Sequence, residues 1–329
     1  MSRLEARMPE LIQITEPIRL TTEGLEILRA NFGDAITFHA PGLRKYKTDE
    51  FDTQNAIEFA SISVTGTACA LSCEHCKTNV LHGMADLRQH NGSLFDLCAD
   101  LASKGARGVL ISGGSDKQGR VPLLPHIHDM KRVKNELGLA MRVHTGVPDE
   151  RTCAALGEVG IDGAMIDVIG HRDTMREVYH LDSDPEDYEN SLAWLEQNNV
   201  PTIPHIILGL HFGKMLGEDR ALEMILRHPP KILVLVVLMS LTGTPMMGVN
   251  PPPLEEIGAF FEKARKALPS TPVMLGCARP MGNIKVEIDR LAVNAGLNGI
   301  AYPANGIVEY ARQNGLQPKF INACCGVTW

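Results

Sequence analysis

The sequence lacks a surplus of positive charge: 32 lysines and arginines stand against 39 aspartates and glutamates, a formal net charge of −7. Without a concentrated basic field, neither nucleic acid nor an anionic membrane is expected as a partner. The local clusters Arg44-Lys45-Tyr46-Lys47 and Lys131-Arg132-Val133-Lys134 read as solvated faces. Long apolar runs are also missing. The longest, Ile232 to Met239, is too short to span a bilayer. The opening MSRLEARMPELIQ carries acidic residues and no sustained apolar core, which argues against a signal peptide. Eight cysteines in 329 residues do not suggest a disulfide scaffold, which belongs to small secreted domains. A reducing cytoplasm, where thiolates stay available as ligands, is the expected location.

What is present centres on Ile57 to Asp86. A strand-like run, Ile57 to Val64, stops at Thr65-Gly66-Thr67, and Cys69, Cys73 and Cys76 follow with the spacing C-x3-C-x2-C. Thiolates clustered on a loop after a strand are placed to hold a metal or an iron-sulfur cluster, and a four-iron cluster takes four such ligands. Three are offered, which leaves one iron open to another molecule. The competing reading is a structural zinc site completed by His75 or His82, for which the usual pattern is two separated pairs. No second pair with that spacing exists.

From Ile57 onward, apolar runs alternate with helical periodicity, the mark of βα units around a parallel sheet. The strand candidates are Ile57–Val64, Gly108–Ser112, Ala140–His144, Gly163–Ile169, Thr202–Leu208, Ile232–Met239, Pro272–Leu275 and Gly299–Ala301. Helical stripes lie between them: Leu94, Leu97, Cys98 and Leu101; Ile127, Met130 and Val133; Ile257, Phe260, Phe261, Ala264 and Leu268. Asn91-Gly92-Ser93 with Asp96 marks a helix start. Eight strands fit an α/β fold of the (β/α)8 TIM-barrel type, with chemistry at the C-terminal strand ends. Residues 1–56 read as an N-terminal extension with one helix around Thr22 to Phe32, 57–315 as the barrel and 316–329 as a C-terminal tail.

The strand ends then define the candidate site. Ser112-Gly113-Gly114-Ser115 closes the second strand, and His144 the third. Asp167 interrupts the apolar run of the fourth; a carboxylate there is costly without partners, so it meets either a ligand or Arg142 on the neighbouring strand. His205 and His211, on and after the fifth strand, either touch substrate or satisfy a neighbouring carbonyl. Cys98 and Cys153 fall on core stripes. Cys277 directly follows the seventh strand. Cys324-Cys325 comes after the last helix, and the stretch from Leu316 to Ala323 spans about 25 Å when extended, enough to climb back to the barrel mouth. A second, auxiliary iron-sulfur cluster on Cys277, Cys324 and Cys325 is therefore expected, the alternative being a mobile tail.

The C-x3-C-x2-C loop after the first strand resembles the radical S-adenosylmethionine (SAM) superfamily, in its biotin-synthase-like branch. The phrases CEHCKTNVLHGM, LISGGSDKQGRVPLLP, Ile203-Pro204-His205-Ile206, LTGTPMMGV and LGCARP are similar to archaeal-type lipoyl synthase, an enzyme of two different radical SAM subunits. The resemblance implies a [4Fe-4S] cluster on Cys69, Cys73 and Cys76 whose open iron chelates SAM. It also implies sulfur insertion into an octanoyl chain on a lipoyl carrier protein, with a second radical SAM subunit and a low-potential donor such as ferredoxin as partners. By the same resemblance the Ser112, Gly113 and Gly114 backbone meets the SAM amino group, although Ser115 stands where the family has an acidic residue. Asp167 meets the ribose hydroxyls, His144 is a further cofactor-binding residue, Leu208 and Gly209 pack the adenine, and Arg172 or Arg176 meets the carboxylate unless it is a surface arginine. Arg279 would complete the auxiliary cluster, as an arginine does in biotin synthase. The alternatives are biotin synthesis, another radical SAM reaction, or a non-catalytic electron carrier.

Overall fold

A computed structural model describes residues 22–40, 46–50 and 57–327. The opening segment MSRLEARMPELIQ and the Arg44-Lys45 pair lie outside these residues. Among them, no helix is long and apolar enough to cross a membrane.

Eleven strands form one sheet: β1 Ala35–His39, β2 Phe59–Ser63, β3 Ala85–Asp86, β4 Gly108–Ser112, β5 Ala140–His144, β6 Gly163–Asp167, β7 Thr202–Leu208, β8 Leu233–Val237, β9 Val273–Leu275, β10 Gly299–Ala301 and β11 Gln317–Ile321. Their order is β11-β1-β10-β9-β8-β7-β6-β5-β4-β2-β3, and neighbours run parallel throughout. The sheet is an α/β barrel-type sheet left open, with β3 and β11 at its ends. It is curled. Ser61 on β2 and Cys277 beyond β9 line one cavity, although the six strand spacings between them would measure about 29 Å on a flat sheet.

The eight expected strands all appear, within two residues of their expected ends. Three more were not anticipated: β1 from the N-terminal extension, β11 from the tail, and the two-residue β3. The expected helices are also present, at Glu23–Phe32, Leu94–Ser103, Ile127–Arg132 and Leu254–Ala267. Ser93 and Asp96 form a reciprocal capping box on the second of these, satisfying two backbone donors that a helix start would otherwise leave unpaired.

Strand alternation sorts the core into two layers. Outward residues such as Ile166, Leu208, Leu235 and Ile300 pack under the helices. Inward residues such as Phe59, Leu110, Met165, Val234 and Met274 form an inner cluster. The C-terminal tail enters this inner layer, where Ala323, Cys324, Cys325 and Val327 are buried. Arg142 on β5 holds it there by donating from Nε to the Gly326 carbonyl at 2.9 Å.

Below the site, Arg279 and Asp289 form an ion pair in which neither side chain is exposed, with Nε 2.5 Å and Nη2 3.1 Å from the carboxylate. Arg279 also donates to the carbonyls of Gly276 and Tyr302, at 2.8 Å each, and Asp289 accepts from the Ala304 amide at 2.7 Å. These bonds tie the ends of β9 and β10 to the helix Asn283–Asn294. Removing one partner of such a pair leaves a buried charge without compensation. Asp289→Asn is therefore expected to cost about 3–5 kcal/mol in urea unfolding of the reduced protein; a loss below about 1 kcal/mol would show that the pair does not hold the strand ends.

Candidate functional site

The loop between β2 and β3 carries Cys69, Cys73 and Cys76, and its backbone is bent where the cysteines sit. Ser72, Lys77 and Thr78 have φ of 50°, 42° and 65°, values that β-carbon crowding disfavours. The bends persist because the surroundings brace them. Lys77 Nζ reaches the Ser72 carbonyl at 2.7 Å and Glu74 at 3.1 Å. Glu74 in turn meets His180 Nε2 at 2.9 Å, and the other ring nitrogen of His180 meets the Leu71 carbonyl at 2.9 Å. A second brace comes from the end of β4. The Gly114 amide donates to Thr65 Oγ1 at 2.6 Å, and the Ser115 amide to Cys69 Sγ at 3.4 Å. A β-carbon on Gly114 would lie 2.0 Å from the Ala68 carbonyl oxygen, so only glycine lets this strand end approach the cysteine loop.

Cys73, His75 and Cys76 bring their ligand atoms within 4.8 Å of one another. A hydrogen bond from Cys73 lowers the Cys76 thiol well below its ordinary pKa, assisted by His75. The same bond, together with burial, raises Cys73. Nδ1 of His75 is buried without a hydrogen-bond partner, and its ring lies 5.1 Å from that of Tyr179.

These cysteines form one wall of a cavity of about 360 Å³ inside the curled sheet. Ser112, Gly113, Gly114, His144, Asp167 and His205 are among the residues that line it. Asp167 pairs not with Arg142 but with His144, whose Nε2 lies 3.4 Å away. Burial opposes ionisation of Asp167, yet the His144 charge and hydrogen bond prevail and bring it down to about 2. Burial likewise opposes the His144 cation, and Asp167 still raises it. Burial holds His205 down to about 4, and its Nδ1 meets the Ile203 carbonyl at 3.1 Å.

Cys277, Cys324 and Cys325 line the same cavity, and none of the eight cysteines is in a disulfide. Cys324 is lowered to about 7 by the hydrogen bond from Cys325, the Gly326 amide, Arg142 and His144. Nη1 of Arg142 is buried without a hydrogen-bond partner.

Four expected site residues lie elsewhere. Arg172 is about half exposed and pairs with Asp182 and Asp184 outside the cavity. Each guanidinium nitrogen of Arg279 donates to Asp289 or to a carbonyl, which commits the side chain to that pair. Leu208 points outward under the helices. Gly209, at φ 76°, gives its amide to Glu218 at 2.9 Å. The apolar wall is made instead by Ile207, one residue earlier on the strand's other face, and by Leu210. His211 meets Thr174 Oγ1 at 3.3 Å and is not among the lining residues. Sequence reading missed Tyr179, Tyr188 and the apolar lining of Leu110, Met165 and Val236; strand alternation around Asp167 would have pointed to Met165.

The His144–Asp167 pair gives a pH prediction. The Asp167 contribution to stability is present above its unfolded pKa of about 3.9 and is lost as pH falls toward about 2. The His144 contribution is present below about 6.5 and is lost as pH rises through the raised folded value. In Asp167→Asn, burial is opposed only by the weaker Cys324 charge, so the ring should titrate below the ordinary imidazole value in an NMR titration of the metal-free protein. A His144 that still titrates above that value would overturn the pairing.

No family model matches the chain. Biotin synthase of Gluconacetobacter diazotrophicus is 23% identical over 288 residues, covering 81% of this chain and 84% of that protein. The crystal structure of methylornithine synthase superposes with a TM-score of 0.57 at 15% identity, covering 90% of this chain and 87% of that one. The Streptococcus suis protein SuiB, solved bound to S-adenosylmethionine, superposes with a TM-score of 0.50 at 11% identity, covering 74% and 58%. The chain thus shares the curled α/β fold of methylornithine synthase and SuiB and has a sequence similar to that of biotin synthase.

Proposed function

We propose that this chain is a radical SAM sulfur-insertion enzyme acting on an octanoyl chain bound to a lipoyl carrier protein, as one subunit of a two-subunit lipoyl synthase. One observation carries the reading: two sets of three cysteines, Cys69, Cys73 and Cys76 on one side and Cys277, Cys324 and Cys325 on the other, line a single cavity. A radical enzyme that only rearranges its substrate has no use for the second set. An enzyme that also delivers sulfur needs a second sulfur-bearing site facing the same substrate.

The residues suit both groups. The braced cysteine loop, its lowered Cys76 thiol and the close-packed Gly114 cradle favour a four-iron cluster on Cys69, Cys73 and Cys76. The lowered Cys324 thiol and the buried Arg142 cation favour an anionic cluster on Cys277, Cys324 and Cys325. When bound, the first cluster with SAM supplies a carbon radical able to break an unactivated C–H bond, and the second supplies sulfur. The protein's own part is placement and exclusion of water. The Ser112-Gly113-Gly114 backbone and the Asp167–His144 pair offer polar contacts to SAM, while Ile207 and Leu210 replace Leu208 and Gly209 as the adenine wall. Leu110, Met165 and Val236 give the cavity an apolar lining that suits an alkyl chain. In this reading 57–315 is the barrel, 1–56 its extension and 316–329 the tail that carries ligands. The partners are the octanoylated carrier, a second radical SAM subunit and a low-potential donor such as ferredoxin, in the cytoplasm.

Similarity to biotin synthase favours a second reading, sulfur insertion into free dethiobiotin. Mass spectrometry after anaerobic incubation with SAM and reductant separates the two. The proposal expects deoxyadenosine and a thiolated octanoyl-carrier peptide, formed with the partner subunit; thiolation of free dethiobiotin alone would replace it. Cys69→Ala should abolish deoxyadenosine with an unchanged melting temperature. Cys277→Ala should keep deoxyadenosine and lose the thiolated product. Absence of deoxyadenosine in the unaltered protein would leave only an electron carrier.

A further inference from the structure

The second cysteine set offers three thiolates, and Arg279 is committed to Asp289. Protein-bound clusters take four ligands, and histidine replaces cysteine on iron in some of them. His39, at the C-terminal end of β1, is fully buried, and neither ring nitrogen has a hydrogen-bond partner. The backbone of Ala323 and Cys324 lies close enough to favour the charged form of the ring, but neither contact has hydrogen-bond geometry; an unsatisfied buried polar atom costs about 1–3 kcal/mol, which a bond to iron would offset.

The sheet register shows which way the ring faces. His39 lies abreast of Ala301 on β10 and Ile321 on β11, and both of these pack in the inner cluster with Cys324 and Cys325. Its neighbour Phe38 points the opposite way, against Phe320, with ring centroids 5.9 Å apart. The His39 ring therefore enters the inner layer, where it meets the backbone of Ala323 and Cys324. The next residue, Ala40, packs with Tyr302 against Cys277. His39 thus sits beside the tail segment that carries Cys324, on the strand whose next residue packs against Cys277. The other histidines near the cavity are accounted for: His144 pairs with Asp167, His205 bonds the Ile203 carbonyl, and His75 belongs to the first cysteine loop.

We propose that His39 is the fourth protein ligand of the cluster held by Cys277, Cys324 and Cys325. The proposal rests on the two-cluster reading above. It assigns the N-terminal β1 a function, since pairing with β10 and β11 brings an imidazole to a site otherwise built from the last third of the chain.

The test uses the full chain with Cys69, Cys73 and Cys76 all changed to Ala, reconstituted anaerobically with iron and sulfide and reduced with dithionite. Pulsed electron paramagnetic resonance should show a nitrogen coupling that changes when histidine is labelled with ¹⁵N and is lost in His39→Asn. His39→Cys supplies a thiolate instead, and should keep the iron while losing the coupling, which guards against a folding defect in the Asn variant. Bound iron without histidine coupling, or a coupling that survives in His39→Asn, overturns the assignment of His39 alone. No bound iron in the triple variant overturns the two-cluster reading and this proposal with it.

Discussion

The bond between Arg142 and the Gly326 carbonyl is the contact on which the site depends. A buried guanidinium is expensive unless it is paired, and Arg142 has one neutral acceptor for Nε, none for Nη1, and no carboxylate bonded to it. Its charge acts on Asp162 and on the tail, where it adds to the Cys325 hydrogen bond in lowering the Cys324 thiol. The arrangement is self-consistent if the tail carries negative charge into the barrel. On the two-cluster proposal the buried cation on β5 would face the anionic group, and the same side chain holds the tail that supplies its ligands. Detached from Arg142, the tail would leave the inner cluster, and the cavity would lose two of the six cysteines that line it.

Parallel-strand register does the rest. Because side chains alternate, each strand contributes to the cavity on one face and to the helix layer on the other. That rule places His144 and Asp167 on adjacent strands at hydrogen-bonding range and sends Ile207 inward where Leu208 goes out. It also turns His39 inward while Phe38 packs outward. A shift of one residue in β1 would exchange those two and remove the imidazole from the inner layer.

Much of this was legible in the sequence because it is local. The eight barrel strands are apolar runs bounded by turn residues, and the cysteine loop, the capping box at Ser93 and the strand-end glycines follow from short patterns. What was missed is long-range. β11 contains Pro318 and shows three of its five side chains to solvent, so it lacks the apolar signature of a buried strand, while β1 is a short run whose strand partners lie at the far end of the chain. The inward face of β7 was misread by one residue because an all-apolar run such as Ile206-Ile207-Leu208 hides its alternation: Ile207 lines the cavity and Leu208 packs under the helices. Arg279 was expected near the cysteines by resemblance, and no pattern in the sequence ties it to Asp289 ten residues later on a helix.

The central claim is that one cavity holds two clusters. Diffraction from anaerobically reconstituted crystals at the iron absorption edge tests it most directly. The account predicts two separate groups of iron within the curled sheet, one against Cys69, Cys73 and Cys76 and the other against Cys277, Cys324, Cys325 and His39. A single group at the first set, with Cys324 and Cys325 still seated beside Arg142 as thiols, would contradict it.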